Sequence, residues 1–217
     1  MECWSYFILY VNGDVIALPT SGTNTVEING NWELTFTCIL DEDGYSNYIQ
    51  KGCIIELPFK MAREQQYPFQ LYRVYEVVRN IDSIQIVAYP ICQESQFECP
   101  VNSIYLENVD AKGAANTLTN LYPEKYSVET DISNGVASIY AENTNLQAIL
   151  AGTDDATFIN AFGGDIIYDN YVYRIQKECG KGYDNKDDYL FGKLNSVTLL
   201  IWHKLCSTTL SLDRKSV

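Results

Sequence analysis

Apolar and polar side chains alternate in short runs through residues 1–90, and turn residues break the runs at close intervals. Tyr6–Val11 reads as a first strand, closed by Asn12-Gly13-Asp14, and Val15–Leu18 returns from it. Thr25–Ile28 leads to Asn29-Gly30, a dipeptide suited to a type I′ turn. Glu33–Leu40 places Leu34, Phe36 and Cys38 on one face, with Glu33, Thr35 and Thr37 on the other. Cys53–Pro58, Phe69–Arg79 and Ser83–Tyr89 continue the series. Many short strands with no long helical period predict a small β-barrel or sandwich over residues 1–90, bounded at Pro90.

The period changes after that proline. Ala111, Ala114, Ala115, Leu118 and Leu121 recur at helical spacing, so Asp110–Tyr122 is predicted as a helix with Asp110 as N-cap and Pro123 as its stop. A short helix follows over Thr144–Leu150, with Thr144 as N-cap and Gly152 just past its end. Thr153 is suited to cap a further helix over Asp154–Phe162, ended by Gly163. Tyr126–Thr130 and Ala137–Tyr140 between them read as extended, giving an α+β segment over residues 91–165. Beyond Gly163-Gly164, Ile166–Gln176 reads as one strand, Lys177–Asp188 as a polar hairpin loop and Tyr189–Leu194 as the returning strand. With Val197–Leu205 these are too few for a closed barrel, so residues 166–217 are expected to hold the strands of a second, truncated one. The fold class expected is therefore α+β, mostly β.

Composition narrows the function classes. A chain of 217 residues can bury about 70% of its unfolded surface, so it needs neither disulfide nor metal to fold. Hydrophobic content of 47% against 20% charged marks a globular chain. The 17 Tyr, 8 Phe and 3 Trp favour β structure and half-buried interfaces. A net charge of −13 repels phosphate backbones, which argues against sequence-specific nucleic-acid binding. The seven cysteines, Cys3, Cys38, Cys53, Cys92, Cys99, Cys179 and Cys206, are odd in number and form no Cys-x-x-Cys pair. That pattern argues against a disulfide framework and a zinc site, and points to synthesis in a reducing cytoplasm. No secretory leader is expected from Met1–Tyr6, and no apolar run reaches membrane-spanning length, so no membrane insertion is expected.

Candidate chemistry is sparse. Asp41-Glu42-Asp43-Gly44 lacks the later acidic ligand of a calcium loop, and it reads, like Asp184–Asp188, as a solvated turn. His203 is the sole histidine; a Cys–His pair would need it to meet Cys179 or Cys206. Asp154 with Asp155, and Asp187 with Asp188, lack an apolar setting that would raise one carboxyl. Asp165 and Asp169 are better placed on a strand, where hydrogen bonding to backbone is the expected role. There is no Gly-rich phosphate loop, His-Glu-x-x-His or Gly-x-Ser-x-Gly. The expectation is a protein that is not an enzyme, with no catalytic, metal or cofactor-binding residues and no cofactor.

Several segments in order carry a resemblance: Trp32–Thr37, Ile49-Gln50-Lys51-Gly52-Cys53-Ile54-Ile55, Phe69–Val77, and Gly163-Gly164-Asp165-Ile166 running on through Asp169-Asn170-Tyr171 to Phe191-Gly192-Lys193. This succession, across roughly residues 30 to 194, resembles the N-terminal region of phage minor structural proteins, the tail hub or tail-associated lysin family, similar in fold to baseplate hubs. The sequence departs from the family pattern at Tyr89–Ser95, where the usual His is absent, and at Gly192-Lys193-Leu194-Asn195, where the last two residues are transposed. Nothing after Asn195 matches. The resemblance implies a structural component of a phage or prophage tail tip, found in the virion and made in the bacterial host's cytoplasm. It further implies a homotrimer that meets the distal tail protein and the tape measure protein, with an acidic lumen past which DNA slides. Two other readings compete. One is a carbohydrate- or cell-wall-binding β-module that stacks sugars on Trp4, Trp32 and tyrosines; the other is a cysteine peptidase using Cys206 and His203.

Overall fold

Strands too short to be stable alone must find neighbours, and most of those predicted in residues 1–90 find each other. The computed structural model describes residues 7–9, 19–27, 29–40, 45–57, 65–133, 135–152, 157–178 and 197–201. In chain order the elements are β1 (Phe7–Leu9), β2 (Pro19–Val26), β3 (Trp32–Ile39), β4 (Ile54–Leu57), β5 (Gln70–Arg79), β6 (Ser83–Pro90), α1 (Ser95–Glu98) and β7 (Pro100–Asp110). They continue with α2 (Ala111–Thr119), β8 (Ser127–Thr130), β9 (Val136–Asn145), α3 (Leu146–Ala151), α4 (Phe158–Phe162), β10 (Asp165–Asp169), β11 (Val172–Gln176) and β12 (Val197–Ile201). The fold is α+β and mostly β, as expected.

One curled antiparallel sheet has the order β1-β4-β5-β6-β3-β2-β12. β3 follows its predicted alternation: Trp32, Leu34, Phe36 and Cys38 are buried while Glu33, Thr35 and Thr37 are half-exposed. A bulge at Tyr75 turns the far half of β5 outward, and Tyr75 and Val78 are exposed. β2 begins at Pro19, well before the predicted Thr25, because pairing with β3 recruits a polar run that no local pattern marks as strand. Asn29 takes a left-handed backbone, φ 56°, but Gly30 does not, so the turn is not of type I′. Val15–Leu18 and Asp41–Gly44 lie outside the described residues.

The helical segment is close to its prediction. Asp110 caps α2 by accepting from Gly113 N at 2.8 Å, and Ala111, Ala114, Ala115 and Leu118 face the core. The cap of α3 is Asn145, one residue later than Thr144, since it is the Asn145 side chain that accepts from Ala148 N. α4 is capped by Thr157 rather than Thr153; residues 153–156 are not described. Gly163, at φ 77°, ends α4 as predicted. The sequence pattern predicts no strand at Pro100–Asp110, yet β7 pairs along β9 as a long two-stranded ribbon. A bulge near Asn108 breaks its alternation, which hides it from a period-two reading.

The largest correction falls on Ile166–Gln176. It is a tight hairpin rather than one strand: β10 turns at Asn170-Tyr171 into β11, with Ile166 opposite Ile175 and Tyr168 opposite Tyr173. β11 also pairs parallel with β8, giving a three-stranded sheet β10-β11-β8. Folding back puts Ile166, Ile167, Tyr168, Tyr173 and Ile175 into the core, which a straight strand with two mixed faces would not achieve. Val197–Ile201, expected in a second barrel, pairs instead with β2. Tyr189–Leu194 lies outside the described residues. Buried side chains from all three sheets form one connected core.

Candidate functional site

Positions on the β10–β11 hairpin connect to the curled sheet and to the segment that follows it. Tyr168 stands edge-on to Trp32, ring centroids 5.2 Å apart, and its hydroxyl donates to Gly30 O at 2.9 Å. Trp32 is only 2% exposed, and its Nε1 donates to Glu27 O at 3.2 Å. The Tyr173 hydroxyl donates to Cys92 O at 2.7 Å and lies 2.6 Å from Ser95 Oγ. The hairpin therefore touches the curled sheet through Tyr168 and the β6–α1 connection through Tyr173.

Asp169 is fully buried and saturated. It accepts from Gln66 N at 2.6 Å and Tyr67 N at 3.5 Å, and from Arg174 Nε at 2.6 Å. Arg174 also reaches Glu129 at 2.5 Å and donates to Gln66 Oε1 at 2.9 Å. Burial pulls the guanidinium's proton affinity down, but the hydrogen bond it donates to Asp169 and the charge of Glu129 outweigh it and raise the net value. Two charges taken out of water together in this way fix the hairpin against the segment preceding β5. Backbone hydrogen bonding is the role the sequence suggests for Asp169. Asp165 is half-exposed and accepts a 3.5 Å contact from Asn29 Nδ2.

Side chains close the edges of the small sheet. Asn29 Oδ1 accepts from Ile166 N at 2.6 Å and its Nδ2 donates to Gly164 O at 3.0 Å; Gln65 Nε2 donates to Tyr168 O at 2.8 Å. On the opposite edge Thr119 Oγ1 accepts from Val128 N at 2.8 Å and donates to Val128 O at 3.3 Å. Polar side chains thus satisfy backbone groups that an exposed edge would offer to another chain.

His203, Cys179, Cys206, Asp154, Asp155, Asp187, Asp188 and Trp4 lie outside the described residues. The four described cysteines, Cys38, Cys53, Cys92 and Cys99, are buried free thiols. Burial pushes Cys38 up to about 12 and Cys92 well above its ordinary value, so neither is a ready thiolate. Among the described residues no group of three or more His, Cys, Asp or Glu could hold a metal ion. No described helix is long and apolar enough to cross a membrane.

What these residues do offer is surface. Ile81 is 100% exposed at the β5–β6 turn. On the ribbon, Tyr105 and Tyr140 are 57% and 45% exposed, opposite each other in register, with ring centroids 5.9 Å apart. The sequence places Tyr140 at the end of an extended stretch but marks no strand at Tyr105; the run Ile104-Tyr105-Leu106-Glu107, with its inward Ile and Leu, is the signal that could reveal β7.

No family model and no curated protein matches this chain. Its fold is similar to those of solved tail proteins. Prophage tail protein gp18 from Listeria monocytogenes EGD-e aligns at 16% identity with a TM-score of 0.56, covering 81% of this chain and 50% of that one. The tail protein from Neisseria meningitidis MC58 aligns at 10% identity with a TM-score of 0.55, covering 80% and 50%. The chain thus spans about half the length of each structure it matches. At these identities the likeness is one of fold.

Proposed function

We propose that the chain is a structural component of a phage or prophage tail tip, of the tail-hub type, joining the tail tube and the distal tail protein to the tip. The observation that carries this reading is the shared architecture: four-fifths of the chain follows the fold of two tail proteins from unrelated bacteria. The order of the Trp32–Thr37, Phe69–Val77 and Gly163–Tyr171 segments supports it independently, since all three meet at the junction built around Tyr168 and Asn170. The role is one of assembly rather than catalysis, in a homotrimer that also meets the tape measure protein, and its place is the virion's tail tip. An acidic face, from the −13 net charge, would line a channel that DNA traverses without adhering. Trp32 is buried against Tyr168, so it is not available to stack on a sugar, which removes one of the residues on which a carbohydrate-binding reading depends.

Light scattering on a sizing column across concentration tests the proposal. A mass of three chains, with co-elution of a distal tail protein from the same phage, is the expected outcome. A monomer at every concentration that also ignores the distal tail protein would overturn it.

A further inference from the structure

The β7–β9 ribbon is built differently from the rest of the protein. Its inner face, Ile104, Leu106 and Ile139, is buried in the core. Its outer face presents Ser103, Tyr105 and Glu107 on β7 and Ser138, Tyr140 and Glu142 on β9, all exposed or half-exposed. The Tyr105 hydroxyl donates to Glu142, and the Tyr140 hydroxyl donates to Glu107 at 3.2 Å, so each ring is held upright beside a carboxylate. Neither strand contains a lysine or arginine. Within the ribbon itself the charge on this face is therefore unopposed, in a chain already at −13.

The ribbon's edges differ as well. The three-stranded sheet has its edges closed by Asn29, Gln65 and Thr119. Between Asn102 and Glu107, and between Ala137 and Glu142, no backbone group bonds to any other described element outside the ribbon's own ladder. A long strand pair whose edges bond to no other described element is a template for a further strand. Two tyrosine rings flanked by carboxylates suit a guanidinium or ammonium, which can lie over a ring and still reach an acidic oxygen.

We propose that the β7–β9 ribbon is a docking element for an extended, cationic segment of a partner protein. That segment adds along a ribbon edge and lays its arginine or lysine side chains over Tyr105 and Tyr140 beside Glu107 and Glu142. A monomeric chain would present the ribbon equally well, so the inference does not depend on ring assembly.

The probe is a short labelled peptide alternating arginine and threonine, followed by fluorescence anisotropy against the full chain. Saturable binding is expected, weakening with added salt. E107Q/E142Q should weaken it on the order of tenfold, because both carboxylates are lost while Gln still accepts from the tyrosines. E76Q/E124Q removes the same charge from exposed positions elsewhere and should leave binding unchanged. The same peptide with methylated backbone nitrogens keeps its charge but loses its strand donors, and should bind much less. Equal losses in the two double variants would show attraction to net charge alone and overturn the proposal. So would undiminished binding of the methylated peptide, or no binding of the arginine peptide at all.

Discussion

Asn29 and Asn170 make the same pair of hydrogen bonds in opposite directions across one junction. Asn29, on the curled sheet, accepts from Ile166 N and donates to Gly164 O at the start of β10. Asn170, at the hairpin turn, accepts from Leu71 N at 2.7 Å and donates to Phe69 O at 3.2 Å at the start of β5. Each amide takes the place of a neighbouring strand for two backbone groups, and each sits at a left-handed φ, 56° and 58°. Asparagine suits both demands: it tolerates that backbone and carries a donor and an acceptor side by side.

Asn170→Ala should be costly on two counts. It leaves Leu71 N and Phe69 O without their partner, at about 1–3 kcal/mol, and it forces a Cβ without compensation into the left-handed region, at roughly 1–2 kcal/mol more. Asn170→Gly removes only the second penalty. Urea unfolding should rank wild type above Asn170→Gly and Asn170→Ala lowest; equal stability of the two variants would mean that backbone strain plays no part.

Arg174→Ala strands the fully buried Asp169 carboxylate and should destabilise by on the order of 3–5 kcal/mol. Asp169→Ala leaves Arg174 its Glu129 partner and should cost less. Because both lose the same interaction, the double variant should fall well short of the sum. A double-mutant cycle by chemical denaturation measures the coupling; strict additivity would show that the 2.6 Å contact carries none.

Gly164 and Gly135 both have positive φ, 100° and 87°, but different surroundings. A Cβ at Gly164 would lie 2.7 Å from Gln176 O and 2.8 Å from the Ile132 side chain, whereas at Gly135 it meets nothing. Alanine at Gly135 should cost about 1 kcal/mol from backbone preference alone. Alanine at Gly164 should cost more and displace the start of β10, visible as a larger fall in Tm.

Alkaline pH should unfold the protein cooperatively. Burial raises Tyr72, Tyr126, Tyr168 and Tyr173 above the ordinary phenol value and takes Cys38 from 9.0 to about 12. Groups whose folded value is raised stabilise fully below the unfolded value and lose that contribution as pH climbs through the folded one. Stability should thus begin to fall above about pH 9 and drop steeply past about pH 10, where free tyrosine ionises. Phenolate absorbance should show these four tyrosines ionising together with loss of near-UV circular dichroism; a smooth titration in a folded protein would contradict their burial.

Local pattern alone identifies much of this protein. The alternation of Leu34, Phe36 and Cys38 fixes β3 and its buried face, because period two leaves one way to hide those side chains. Asp110 with its spaced alanines fixes α2, since cap and apolar stripe both lie within a few residues. The mostly β class and the helical middle follow from such signals. Tertiary structure decides the rest. Pro19–Asn24 is strand only because β3 lies beside it, and β7 is strand only because β9 does. Ile166–Gln176 folds back at Asn170 because the turn gains partners at Phe69 and Leu71, about a hundred residues away in sequence, on the general rule that buried backbone groups must be paired. Asp169 belongs to the same class: its neighbours in sequence say it is polar, but only its place between Gln66, Tyr67 and Arg174 makes it a buried anchor. Short-range pattern specifies what one face of an element wants, and which distant groups supply it is settled only when the chain closes on itself.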